Sequence, residues 1–210
     1  MTRASRTREC FRLARPYTQP LHPFVGAVVI HTLLAALLIV ALVTDLRSRR
    51  IPNKLVLAGM ALAVVSHAAA MATGAAPLAG RSWWAPFAGL AAGGALLMPL
   101  YLLRATGAGD VKLMAVVGAF IGAPLVCVAV LYTLLAGGLL SLVYMLGRGV
   151  AAQTLANVRF MLTDWALRVG SGRAARLAPL QTTAARLPYA AAIALGTAAA
   201  LLWPLSSLVS

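Results

Sequence analysis

Phe24 to Thr44 is a run of 21 residues in which His31 is the only strongly polar side chain, and further runs of similar length follow it. A hydrocarbon core about 30 Å thick takes about 20 helical residues to cross, and within it every backbone N–H and C=O must be paired inside the segment. The run is therefore predicted to be a membrane-spanning helix. Basic residues precede it, as in a signal peptide, but it is too long and ends in Asp45-Leu46-Arg47-Ser48-Arg49-Arg50, a stop-transfer pattern that marks a retained helix.

The remaining runs place the chain in the all-α class, as a polytopic membrane protein of about six spans. Leu55 to Thr73 is the second, opened by Pro52 and Asn53, which suit the first turn and cap of a helix. Trp83 to Leu103 is the third, with Trp83 and Trp84 where an interfacial aromatic belt is expected and Pro86, Gly93, Gly94 and Pro99 predicting irregularity or close helix packing. Leu113 to Leu146 is apolar for 34 residues, too long for one span, and Gly122-Ala123-Pro124 supplies the break between a fourth and a fifth helix. Within 148–187, Leu155, Val158, Leu162, Trp165 and Val169 share one helical face, which predicts a short amphipathic helix at the membrane surface. Pro188 to Leu208 is the last span. The expected organisation is a basic tail over 1–23, a five-helix membrane core over 24–146, a basic amphipathic segment over 147–187 and a final helix over 188–210.

Charge sets the expected orientation. With the first loop cytoplasmic, 12 Lys and Arg lie inside, at positions 47, 49, 50, 54, 104, 112, 148, 159, 168, 173, 176 and 186, against Arg81 alone in an outer loop. That arrangement sends the tail with Arg3, Arg6, Arg8, Arg12 and Arg15 outward, so the tail is either translocated despite its charge or absent from the mature protein. The formal net charge of +14 does not indicate a nucleic-acid partner: 61% of the residues are hydrophobic, leaving no soluble surface on which to display the charge. Anionic lipid headgroups are the expected counterpart. Cys10 and Cys127 lie far apart and alone, so neither a disulfide framework nor a zinc module is indicated. His31 and His67, inside apolar runs without acidic company, read as packing or hydrogen-bonding residues, and no metal or organic cofactor is expected.

Four acidic residues are the whole inventory: Glu9, Asp45, Asp110 and Asp164. Asp164 and Arg168 are spaced to pair along one helix face. In the predicted topology Asp45 ends the first span and Asp110 starts the fourth, so both lie at the cytoplasmic end and can meet. If the fourth span began only after Asp110 and ended at Gly122, its 12 residues would reach roughly 18 Å; the embedded segment is therefore expected to begin near Ala105, with Asp110 below the membrane surface. A carboxylate at such depth costs on the order of 2.5–3.5 kcal/mol, so it needs a partner or a wet cavity. Gly107 and Gly109 beside it allow a tight turn and the close approach of another chain. Two neighbouring carboxyls in a low-dielectric site do not both ionise easily; one retains a proton while the other polarises a water. Singly, Asp45 could merely end a helix among arginines and Asp110 merely cap one; their convergence favours chemistry.

Thr44-Asp45-Leu46-Arg47-Ser48-Arg49-Arg50-Ile51-Pro52-Asn53 and Gly107-Ala108-Gly109-Asp110-Val111-Lys112-Leu113 closely resemble the two signature segments of type IV prepilin peptidases, part of the wider GxGD aspartyl proteases that include preflagellin peptidases and presenilins. Leu187-Pro188-Tyr189-Ala190 resembles the start of that family's last helix. The resemblance implies an aspartic-type membrane endopeptidase with Asp45 and Asp110 as catalytic pair. Pro52, Asn53, Gly107, Gly109 and Lys112 would shape the site. The implied substrate is a prepilin-like precursor whose leader is cut at the cytoplasmic face of a bacterial inner membrane; the pilus assembly platform is a further partner. Larger family members carry a cytoplasmic insertion with paired CxxC motifs and also methylate the new N-terminus. Residues 45–54 here form a short loop without cysteine, which resembles the compact form of tight-adherence pilus systems and speaks against methyltransferase activity. The competing class is a non-hydrolytic membrane protein, either a proton-coupled transporter or a scaffold of a pilus machine; no internal repeat of the transporter kind is evident.

Overall fold

A computed structural model describes residues 22–103, 106–149, 156, 159, 160, 163 and 189–203. They form five helices: α1 (His22–Ser48), α2 (Asn53–Ala72), α3 (Ala85–Leu102), α4 (Ala108–Gly147) and α5 (Tyr189–Leu202). The first four are long and apolar enough to cross a membrane, and α5 is a shorter apolar helix. The chain is thus an all-α, multi-pass membrane protein. The tail over 1–21, Asp164, Arg168 and nearly all of the 147–187 segment lie outside the described residues.

Helix boundaries follow local chemistry. Helix α1 runs four residues beyond Thr44, so Asp45 sits inside its last turn. It stops because Arg49 takes a left-handed φ of 50°, while its N–H still reaches the Asp45 carbonyl at 2.8 Å. Pro52 (φ −64°, ψ 135°) then occupies the cap position of α2, with no side-chain capping bond. Asn53, expected to help cap this helix, is instead its first helical residue, and its side chain is engaged elsewhere.

The expected break in the 34-residue apolar run falls at Gly122, whose φ of 80° and ψ of 167° are open to glycine and strained for other residues. In an uninterrupted helix Gly118 and Val126 would stand about 12 Å apart. Here Val126 Cγ2 lies 3.3 Å from where a Gly118 Cβ would be, so the arms 108–121 and 123–147 fold back on each other. The bend is roofed by the α2–α3 connection: a Cβ on Gly122 would collide with the Ala79 carbonyl. His67, as expected, is a buried hydrogen-bonding residue, its Nε2 lying 3.0 Å from the Ser82 carbonyl of that same connection.

Arm 108–121 is the central post. Val111, Leu113, Met114, Val116, Val117, Ala119, Phe120 and Ile121 are all buried, on every face of the helix. Helix α3 lies antiparallel against it with backbones in contact, since a Cβ on Gly89 would meet the Gly118 carbonyl and one on Gly93 the Met114 carbonyl. Small residues permit such approach where lipid supplies no hydrophobic drive between helices. Of the two glycines expected to matter in α3, Gly93 fills this role; Gly94 has room for a Cβ at an ordinary 3.5 Å, and Gly89 is the second true contact. Helix α5 runs antiparallel to arm 123–147 in the same manner, Gly196 against Thr133. On the far side Gly59 of α2 packs against Leu37 of α1 and Val116 of the post.

Because the obstructing atoms at Gly89 and Gly118 are backbone, Gly89→Val and Gly118→Val cannot be absorbed by rotamer changes. Each should cost at least about 3 kcal/mol, the upper part of the range for overpacked cores, whereas Gly94→Ala should be nearly neutral. Unfolding midpoints of the purified protein in detergent test both statements.

Candidate active site

The two acids expected to meet are carried by α1 and α4 and stand at the same end of the bundle. Asp45 projects from the last turn of α1 and Asp110 from the first turn of α4; both are buried, at 7% and 9% exposure. They lie within Coulombic reach of each other.

Each carboxyl is fixed through one oxygen. Asp110 Oδ2 accepts the Gly107 N–H at 2.9 Å, closing the first turn of α4 on itself and satisfying a donor that has no partner within the helix. Asp45 Oδ2 accepts the Ala190 N–H at 3.2 Å, from the first turn of α5 and 145 residues away in sequence. The first-turn amides of a helix favour a negative partner, so α5 docks its N-terminus on the acid of α1. Neither Oδ1 hydrogen-bonds to a described residue, and neither acid forms an ion pair among the described residues. Two buried carboxyls, each with one oxygen unpaired among the described residues, are suited to share a proton and bind a water. Among the described residues no group of three or more His, Cys, Asp and Glu side chains could hold a metal ion.

The remaining residues singled out in the sequence surround this pair. Pro52 and Asn53 begin α2 only seven residues after Asp45, so the α1–α2 connection is a tight hairpin over the site. That hairpin is joined to α4 at two points. Ile51 lies against Gly109, where a Cβ would stand 3.2 Å from the Ile51 Cβ, and Lys112 Nζ donates to Asn53 Oδ1 at 3.1 Å. Gly107 is extended at φ −83° and ψ 156°, and starts α4 at Ala108. Arm 108–121 is then 14 residues, about 21 Å, and Asp110 is buried in its first turn. Ala105, where the embedded segment was expected to begin, is outside the described residues.

Ile51, Tyr189 and Ala190 belong to the site and were not singled out by chemistry in the sequence. Their side chains carry no acid, base or ligand. The one available signal was the likeness of Leu187-Pro188-Tyr189-Ala190 to the start of the family's last helix.

The multi-pass helical bundle thus brings two carboxyls from separate helices, both buried, to one end. Comparison with known families supplies the class. The model of the type IV leader peptidase family matches residues 32–142, more than half of the chain and both acidic segments, and the protein belongs to that family. No curated protein and no solved structure matches the chain. Tyr189 and Ala190 lie outside the matched region, although the fold brings them to it.

Gly109→Ala should drive its new methyl into Ile51 and pry the hairpin from α4, lowering leader-peptidase activity about tenfold or more, as small misplacements in a site do. Ile51→Gly, which removes the Cβ that the new methyl would meet, should restore much of that loss when combined with Gly109→Ala. Rates of the single and double variants decide it.

Proposed function

We propose that this protein is an aspartyl endopeptidase that uses Asp45 and Asp110 to cleave the leader of a prepilin-like precursor at the cytoplasmic face of a bacterial inner membrane. The observation that carries the reading is the pair itself: half of the chain's acids, buried at the same end of the bundle within Coulombic reach of each other, each with an oxygen that takes no hydrogen bond from a described residue.

The chemistry follows from that arrangement. With one carboxyl protonated and the other ionised, the ionised one removes a proton from a bound water as its oxygen bonds to the scissile carbonyl carbon. The protonated one gives its proton to the carbonyl oxygen, producing a gem-diol. Collapse breaks the C–N bond: the carboxyl that took the water's proton delivers it to the leaving amine, while a gem-diol hydroxyl gives its proton to the ionised carboxyl, so the pair ends singly protonated.

Orientation rests on charge. Arg47, Arg49, Arg50, Lys54 and Lys112 are exposed around the site end, and the asymmetry of Lys and Arg across the chain assigns that end to the cytoplasm, against anionic headgroups. A precursor whose apolar helix lies in the bilayer would then present its leader junction at the depth of the pair. The short, cysteine-free α1–α2 hairpin supports the compact, tight-adherence type of enzyme, without methyl transfer. In this organisation residues 24–146 and 188–210 supply the membrane-embedded catalytic unit, and the basic 147–187 segment rides on the inner leaflet, within reach of a pilus assembly platform.

The full-length protein, co-expressed with a tagged prepilin-like precursor, should shorten it by the leader. Asp45→Asn and Asp110→Asn should each reduce cleavage by on the order of 10³-fold or more, as for residues acting as one unit. Asn retains an oxygen acceptor of nearly the same shape, so membrane insertion and the unfolding midpoint should hold. Processing that survives either substitution excludes this mechanism and returns the protein to a transport or scaffold role.

A further inference from the structure

Tyr189 stands one residue before the amide that binds Asp45, at the start of α5. Its ring is half-buried and lodged against arm 123–147. A Cβ on Gly137 would lie 3.2 Å from Cε2 and 3.6 Å from Cζ, the carbon that bears the hydroxyl. Glycine at 137 therefore makes room for the hydroxyl-bearing edge of the ring. The phenol oxygen is within Coulombic reach of Asp110. Among the described residues it has no hydrogen-bond partner. The site end thus holds a third polar group, carried by the same helix turn that binds Asp45 and unpaired among the described residues.

On the reading of Asp45 and Asp110 as the catalytic pair, we propose that Tyr189 is a further catalytic residue, its hydroxyl donating a hydrogen bond to the carbonyl oxygen of the scissile peptide. A phenol is a donor at neutral pH and is held by only two side-chain torsions, so its position is largely set once the ring is packed. A donor placed where charge develops is worth more in a water-poor site than in solution, because it needs no reorganisation at the moment of reaction. Tyr189 keeps its proton throughout. The protons taken from water and given to the carbonyl oxygen and the leaving amine all pass through the two carboxyls, and the phenol shares the charge on the oxygen as the gem-diol forms and collapses. The role also gives a chemical reason for the arrangement of α5: one turn binds Asp45 through a backbone amide and brings the donor within Coulombic reach of Asp110.

The experiment uses the full-length protein in detergent with a prepilin-like precursor, comparing wild type, Asp45→Asn, Tyr189→Phe, Gly137→Ala and Tyr189→Phe/Gly137→Ala. Phenylalanine keeps the ring against Gly137 and removes only the oxygen. The expected result for Tyr189→Phe is a loss in kcat on the order of 10²-fold, in line with the removal of one such donor, with KM within about threefold of wild type and an unchanged unfolding midpoint. Gly137→Ala should displace the ring and lower kcat in the wild-type background, yet cost little more in Tyr189→Phe, where the displaced hydroxyl is already gone. If Tyr189→Phe cleaves at the wild-type rate while Asp45→Asn is inactive, the Tyr189 assignment is wrong and the aspartyl mechanism stands. A fall in the unfolding midpoint with kcat and KM changing together assigns Tyr189 a packing role and also overturns it. If the wild type leaves the precursor intact, or Asp45→Asn still cleaves it, the aspartyl reading fails and the role of Tyr189 goes with it.

Discussion

The fold turns on one buried helical arm. Residues 108–121 are surrounded on every face, and α3 reaches them so closely that at Gly89 and Gly93 a methyl group would occupy the position of a carbonyl. In a bilayer the apolar side chains gain nothing by leaving lipid for one another, so packing quality and backbone proximity carry the association. With that arm fixed, its first turn becomes a rigid platform, and Asp110 is placed on it by a hydrogen bond to its own cap residue. A catalytic side chain on a packed helix holds its position better than one on a loop.

Asp45 is placed differently, by convergence. Helix α1 is less enclosed than the central arm, with Val28, Ile39 and Leu46 facing outward. Its acid is held to α5 by the Ala190 amide, while the hairpin that follows it is held to α4 by the Ile51–Gly109 contact and the Lys112–Asn53 hydrogen bond. Four helices therefore contribute to an acid pair that two of them carry. The Lys112–Asn53 bond is exposed and energetically modest on its own; its value is geometric, since it ties the start of α2 to the turn that bears Asp110. The arrangement separates the hydrophobic burial that stabilises the bundle from the few polar links that set the distance between the carboxyls.

Much of this was legible along the chain because a membrane protein must solve its backbone hydrogen bonding locally. Runs such as 24–44 and 55–73 announce helices through length and apolarity alone, and they appear within a few residues of the expected limits. The same scarcity of polar groups made Asp45 and Asp110 conspicuous, and the family match over 32–142 includes both. Glycines were harder to interpret. Gly93 and Gly94 are indistinguishable in sequence, yet only Gly93 meets the backbone of α4, and Gly89 drew no attention although it makes the closer approach. Helical rotation about a neighbour decides which of two adjacent positions is crowded, and that rotation is a property of the pair.

The sequence by itself determined that the chain is helical and membrane-embedded, that the long apolar run must break within Gly122-Ala123-Pro124, and which two acids are available for chemistry. These follow from local rules: bilayer thickness, backbone satisfaction, the conformational freedom of glycine and the cost of a carboxylate in hydrocarbon. Only the tertiary structure decided that α5 supplies the amide to Asp45 and packs Tyr189 against Gly137, and that Asn53 serves Lys112 in place of its own helix. Those contacts join residues 59 and 145 positions apart. An amide or a phenol carries no mark in sequence of the partner it will meet, because that choice is made by packing between helices.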